Sequence, residues 1–268
     1  MSGYAHHFVF DFKSGIRDTT NMLMNYLFPV GFFVMIGLFM PGINPTFLEI
    51  MIPGLIIFAI MSGTLMTIPG TLIDQRTAGI LRSYRVNGVP ASAVIAIPVV
   101  SALVHMLLVS VVLTLAGSLL FGAALPENWG WFIAVIVLTA LSLASLSALL
   151  GVVAPSSRAG TLLAQLVFVP SVLLGGLMVP PDLLPDGIAR AALLLPATLG
   201  MRGFLALAME GGAIGLSEAA PLVVPAVSIV LNLILCRVLF EWNARASGAR
   251  RFMALLALVP FAVAVAVW

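Results

Sequence analysis

Charge is what this sequence has least of. Only 22 of its 268 residues are Asp, Glu, Lys or Arg, while 62% are apolar and mean hydropathy is +1.19. A soluble globular domain carries about 25% charged residues, so this chain has too little polar surface to coat a body in water. It reads as an integral membrane protein. Lysine is nearly absent: Lys13 is the only one. A phosphate-binding P-loop needs a Gly-Lys-Ser/Thr step, so the usual ATP site is excluded. The single cysteine, Cys236, excludes an intrachain disulfide framework. His6 and His7 are adjacent, the wrong spacing for helix chelation, and His105 stands alone, so no metal site is predicted. No Gly-x-Ser-x-Gly elbow occurs either. Met1–Ser14 mixes His6, His7, Asp11 and Lys13 among aromatics, which predicts no cleavable signal peptide. Catalytic residues are therefore expected to be none.

Acids are missing from one further place. All ten carboxylates fall at or beyond the ends of the apolar runs. Ion-coupled carriers place ionisable groups at mid-membrane, and only His105 could serve there. The expected role of His105 is a hydrogen bond to a neighbouring helix, and the same is expected of Asn25, Gln165 and Asn232. Energy for any transport should then come from outside the chain.

What the sequence does contain is long apolar runs. A helix needs about 20 apolar residues to cross the hydrocarbon core. Such runs predict six spans, at about 22–40, 48–70, 95–121, 131–153, 161–178 and 219–240. A seventh run, 252–268, has 17 residues and sits at the lower limit. The runs are continuous rather than alternating, so helices are expected and a barrel is not. One set of connections carries ten of the twelve basic residues, the other only Arg190 and Arg202. That asymmetry predicts that the N-terminus and residues 71–94, 154–160 and 241–251 are cytoplasmic.

Smaller features fill in the arrangement. Residues 4–20 read as an amphipathic helix in the membrane interface, with Phe8, Phe12 and Ile16 on its apolar side. Ala140, Ala144 and Ala148, continued by Ser147 and Gly151, form a small-residue ladder for close helix packing. Pro29, Pro98 and Pro170 are expected to kink their spans. Between the fifth and sixth spans, 175–212 holds two apolar pieces, about 187–195 and 197–210, each introduced by proline and too short to cross. They should be re-entrant or lie flat on the outer surface. The stretch "DQRTAGILRSYRVNG", 74–88, ends in Asn87-Gly88 before Pro90, which predicts a helix over about 76–86 stopped by a left-handed Gly88.

The order of these parts resembles the type-2 ABC exporter permease family. "DQRTAGILRSYRVNGVPASAVI" is similar to the family's acidic-x-x-x-x-Gly loop, helix and Pro-small-small turn, with Asp74, Gly79, Val89, Pro90 and Ser92 in place. The family more often has Glu where Asp74 stands. "GGLMVPPDLLPDGIARAALLLPATLGMRG" resembles its Gly-x-x-x-Pro…Leu-Pro…Pro-x-Thr segment, through Gly176, Pro180, Leu184, Pro185, Pro196 and Thr198, with Arg202 following. "RVLFEWN", 237–243, looks like the end of its last span.

The resemblance implies an all-α, six-span permease domain over 1–243, with an N-terminal interfacial helix and re-entrant helices before the sixth span. It leaves 244–268 as an extension with a possible short seventh helix. It also implies a bacterial inner-membrane location, a second permease copy or paralogue, and two cytoplasmic ATPase subunits that hold ATP and Mg. This chain itself would hold no cofactor and no nucleic acid, and would contact membrane lipid. Coupling to the ATPase would fall to Asp74, Gln75, Arg76, Gly79, Ile80, Arg82, Tyr84 and Arg85. The second and fifth spans would line the substrate path through Phe58, Met61, Thr64, Thr67, Gln165 and Phe168. Gly176, Pro180, Pro185, Pro196 and Arg202 would belong to an extracellular gate. An apolar, acid-free lining suits an amphiphilic or hydrophobic cargo such as a drug, lipid or natural product. Two alternatives stay open: a proton-coupled multidrug carrier that needs His105, and a non-transporting membrane scaffold.

Overall fold

The computed structural model of the chain describes residues 3–44, 47–177, 184–209, 219–242 and 249–267. Among them there is helix and no strand. Helix α1 (Gly3–Arg17) leads into the first long apolar helix, α2 (Thr19–Ile43). The others follow as α3 (Phe47–Thr77), α5 (Ala91–Phe121), α6 (Trp129–Val153), α7 (Ser157–Leu174) and α10 (Ala220–Leu239). All six are long and apolar enough to cross a membrane, and their positions match the six runs read from the sequence. The chain is a multi-pass membrane protein. Between α3 and α5 sits a short helix, α4 (Ile80–Val86). Between α7 and α10 come α8 (Asp186–Ala192) and α9 (Pro196–Met209), bent 96° against each other. A tight 3-10 segment, Ala249–Leu258, and α11 (Val259–Val267) end the described chain.

Lipid tails are as apolar as leucine, so these helices gain little by hiding apolar surface and associate instead through close packing and interhelical hydrogen bonds. Both devices are present. The alanine ladder of α6 is wholly buried at Ala140, Ala144 and Ala148, and the lower part of the ladder packs with Leu235 and Cys236 of α10. Gly151 lies so close to Pro69 and Leu72 of α3 that a side chain there would press on the Pro69 backbone. Asn232 of α10 donates to the Ser145 hydroxyl of α6 at 3.2 Å, and Asn25 of α2 reaches the Gly15 carbonyl of α1 at 3.5 Å.

Helix α3 is the hub. Met51, Ile56, Ile57, Ile60, Met61 and Leu65 have essentially no exposure, because α2, α5, α6 and α7 surround it. By contrast α2 and α7 leave long apolar faces open, such as Leu162, Leu166, Val169 and Leu173 on α7. In α2 the hydrogen bonding widens to i+5 over Leu23–Leu27, just before Pro29. A proline collides with the turn preceding it, and the wider turn relieves that collision.

Helix α1 differs from its expected setting in one respect. Phe12 does not lie on an outer apolar face; it stacks flat on the His105 ring of α5, with centroids 4.4 Å apart. The α1 backbone comes so near at Gly15 that a side chain would strike the same ring. His105 is also tied to α2, its Nδ1 lying 2.5 Å from the Tyr26 hydroxyl. The side chains of His6 and His7 lie outside the described residues.

The C-terminal segment runs back along α10. Ala257 packs near Leu235 and Leu239, whereas Phe261 and Ala264 pack with Val224, Ala220 and Leu193. A 3-10 turn rises about 2.0 Å per residue and an α-helix about 1.5 Å, so the stretched first half lengthens a run that would be short as pure α-helix.

Candidate coupling and transport site

Helices α3 and α5 have 31 residues each, about 46 Å at 1.5 Å per residue, against a hydrocarbon core of about 30 Å. Their surplus carries α4 beyond the apolar bundle at its arginine-rich end. Two left-handed glycines frame the short helix: Gly79 at φ 76° and Gly88 at φ 75°. Gly88 fits the predicted helix stop. The other end corrects the sequence reading, which starts the helix at about residue 76. The backbone turns left-handed at Gly79, so α3 ends at Thr77 and α4 begins at Ile80. Leu81 anchors it, buried among residues of α5 and α6, while Arg82, Arg85 and Val86 point outward.

The eight residues expected to couple to an ATPase therefore divide. Ile80, Arg82 and Arg85 are exposed on α4. Tyr84 is half-buried and turns toward α1, where burial first and then the Asp11 carboxylate push its phenol pKa up. Ile80 and Tyr84, four positions apart, thus differ in exposure. The exposed apolar residue that sequence reading overlooked is Val86. Asp74 is exposed and accepts a hydrogen bond from the Ser157 hydroxyl at the start of α7, at 2.8 Å. Gln75 faces a cavity beneath α1.

Arg76 is the largest departure. It is 4% exposed, with its guanidinium turned into the protein. It donates to the Val152 carbonyl at 2.8 Å and to the Ala154 carbonyl. These carbonyls end α6, where the last turn lacks intrahelical donors and bears the negative end of the helix dipole. Arg76 closes that helix end rather than facing outward.

The residues expected on a substrate path divide as well. Met61 and Thr64 have no exposure, and Thr64 returns its hydroxyl to the Ile60 carbonyl at 2.7 Å. They belong to the packed interior of the bundle, with no face open to a path within the single chain. Phe58 is buried in an aromatic cluster with Phe28 and Phe32 of α2 and Phe168 of α7, at centroid distances of 5.2, 3.9 and 5.8 Å. Gln165 is half-buried, its amide 3.6 Å from the Met66 sulfur. Thr67 is half-buried and faces the cavity beneath α1. The open faces near this cluster belong to α2 and α7.

At the opposite end of the bundle, Pro185 precedes α8 and Pro196 occupies the first turn of α9. Both prolines thus start helices, as read from the sequence; proline suits a first turn because that position needs no backbone donor. Residues 196–201 of α9 are buried against α6 and α10, and Gly200 meets Thr139 closely. Gly176 is buried with φ 87°, and Arg202 is exposed. Pro180 lies outside the described residues.

This arrangement joins six spans, a short helix held beyond two overlong spans, and a bent helix pair before the last span. The family model for the ABC-2 type transporter matches residues 8–209, about three quarters of the chain. The chain belongs to the ABC-2 type transporter family. It is thus the membrane-spanning permease component of an ABC transporter, a subunit class that is generally not catalytic, and the family implies an ABC ATPase as partner. No curated protein and no solved structure matches the chain.

Proposed function

We propose that this permease exports an amphiphilic or hydrophobic compound from the cytoplasm, driven by ATP hydrolysis on a separate subunit. The observation that carries the reading is α4, held outside the apolar bundle with Arg82 and Arg85 exposed between two left-handed glycines. A loop that merely connected two spans would need neither the anchored Leu81 nor the extra length of α3 and α5. In this reading the arginine-rich end is cytoplasmic, following the bias of basic residues to that side, and the membrane is the bacterial inner membrane. Two ATPase subunits, which hold ATP and Mg, dock on two permeases. The uncovered faces of α2 and α7, beside the Phe58 and Phe168 cluster, meet their counterparts across the permease dimer and enclose the path. The bent pair of α8 and α9 closes it on the outer side.

The test is transport in inverted membrane vesicles containing this permease with its ATPase. Uptake of a fluorescent amphiphile should require ATP and should survive collapse of the proton gradient. Uptake that follows the gradient and ignores ATP would establish a proton-coupled carrier instead.

A further inference from the structure

The guanidinium of Arg76 is a full positive charge on a residue that is 4% exposed. The Val152 and Ala154 carbonyls that it bonds belong to a helix end equivalent to about half a negative charge. Burying an ion is costly unless an opposite charge lies close by. Asp74 is near in sequence, but it is exposed and accepts from Ser157.

A second carboxylate reaches this place from the far end of the sequence. Arg76 and Glu241 line one small cavity, together with Leu81, Gly151 and Val152. It has about 10 Å³ of room, near the least that admits one water. Glu241 is the one acid among its described lining residues. The backbone explains how that side chain arrives. Helix α10 ends at Leu239 and Phe240 is extended, with φ −66° and ψ 127°, so Glu241 leaves the helical position four residues after Arg237. Arg237 is exposed, while Glu241 is half-buried. On either side of it the Phe240 and Trp242 rings meet edge to face, 5.0 Å apart, and pack on the cluster that holds Leu72 and Leu81.

From this arrangement we infer that Glu241 is the counter-charge of Arg76, joined to it directly or through a single water, and is a positioning residue for coupling. That role rests on the exporter reading above. The pair adds the end of the last span to the joint of α3, α6 and α7. The 20 residues of α10 span about 30 Å from this joint toward the bent pair. There Val224 packs with Leu193 and Leu199, and a side chain on Gly203 would crowd Pro221. Helix α10 thereby hands a displacement of the joint to the outer closure.

The contact is tested by a double-mutant cycle on the full-length permease in nanodiscs without ATPase, read by thermal unfolding. Glu241→Gln keeps the shape and removes the charge; it should lower the unfolding temperature, and Glu241→Asp should recover part of the loss. In an Arg76→Met background the Gln substitution should cost less than half as much, whereas in an Arg237→Gln background it should cost the full amount. Equal costs in the wild type and in Arg76→Met would overturn the pair. So would a cost that vanishes in Arg237→Gln, which would put the carboxylate on its helix neighbour. Should Arg76→Met fail to fold, Arg76→Gln, which can still donate to a carbonyl, replaces it. The positioning role is read separately, in vesicles that contain the ATPase. Glu241→Gln should leave co-purification of the ATPase intact, because α4 is unchanged, and should cut substrate stimulation of ATP hydrolysis per complex several-fold. Normal stimulation would overturn the positioning role. A wild type with no stimulation at all would count against the exporter reading, while the cycle, which needs no ATPase, still decides the pair.

Discussion

Arg76 donates to the carbonyl of Val152, a residue 76 positions later, at 2.8 Å. Two positions before it, Asp74 accepts from Ser157. The end of α3 is thereby fastened to both sides of the 154–156 connection, the last turn of α6 and the first of α7. In the proposed coupling, a push received by α4 would pass through Gly79 into this fastened joint. Replacing Arg76 by Met should leave the terminal carbonyls of α6 buried and unpaired, at a cost of about 3 kcal/mol. The measurement is thermal unfolding of the purified permease. Arg76→Lys should recover only part of the loss, since one ammonium cannot reproduce the guanidinium fork. An unchanged unfolding temperature for Arg76→Met would show that the contact contributes nothing.

The same joint depends on Gly151. A β-carbon there would lie 3.0 Å from the Cα of Pro69, which is backbone and cannot swing aside. Gly151→Val should separate α6 from α3 and destabilise the protein by about 1–3 kcal/mol, the usual cost of overpacking. Gly187, with open space around it, is the control: Gly187→Val should act only through local helix propensity.

Much of this fold was legible in the sequence, and the reasons for the remainder are physical. Long apolar runs locate spans because lipid forces each backbone polar group into a helix. Gly88 and the prolines at the starts of α8 and α9 declare local backbone geometry that neighbouring residues suffice to reveal. Arg76 could not be read that way. Val152 and Ala154 receive it through backbone carbonyls, which every residue possesses, so their side chains do not signal the contact. The full burial of Met61 and Thr64 was hidden for a related reason. A span in lipid is apolar on all sides, so no polar face distinguishes the central α3 from a helix at the edge. The break at Gly79 was equally hidden, because glycine in a helical pattern is tolerated as often as it stops one.

Tyr84 gives a pH prediction. Its phenol pKa is raised by burial and by Asp11, so the neutral form is favoured in the folded state. The resulting stability is fully present below pH 10.0, the ordinary phenol value, and is lost as pH rises through the higher folded value. Ultraviolet titration of the folded permease should lose one late-titrating phenol in Tyr84→Phe. In Asp11→Asn it should titrate earlier while remaining above its ordinary value. Identical titration curves for the wild type and Asp11→Asn would mean that the carboxylate does not act on Tyr84.

The C-terminal segment should cross the membrane. Its 3-10 half gives about 20 Å and α11 about 13 Å, together near the thickness of the hydrocarbon core. Cys236 is buried, so a cysteine added after Trp268 provides a clean label. It should react with an impermeant thiol reagent on intact spheroplasts. Labelling only after lysis would place the segment in the interface.

The central claim is that α4 delivers the force of an ATPase to the bundle, and Arg82 and Arg85 are where it can be tested most directly. Both are exposed outside the membrane core, so reversing them, Arg82→Glu with Arg85→Glu, should leave the fold untouched. Docking should weaken by a few kcal/mol if the arginines pair with desolvated acids. The decisive measurement is co-purification of the ATPase together with substrate-stimulated ATP hydrolysis in reconstituted vesicles. The account predicts that both fall sharply while the permease unfolds at its usual temperature. Unchanged association together with unchanged stimulation would contradict it, and would leave these arginines setting topology alone.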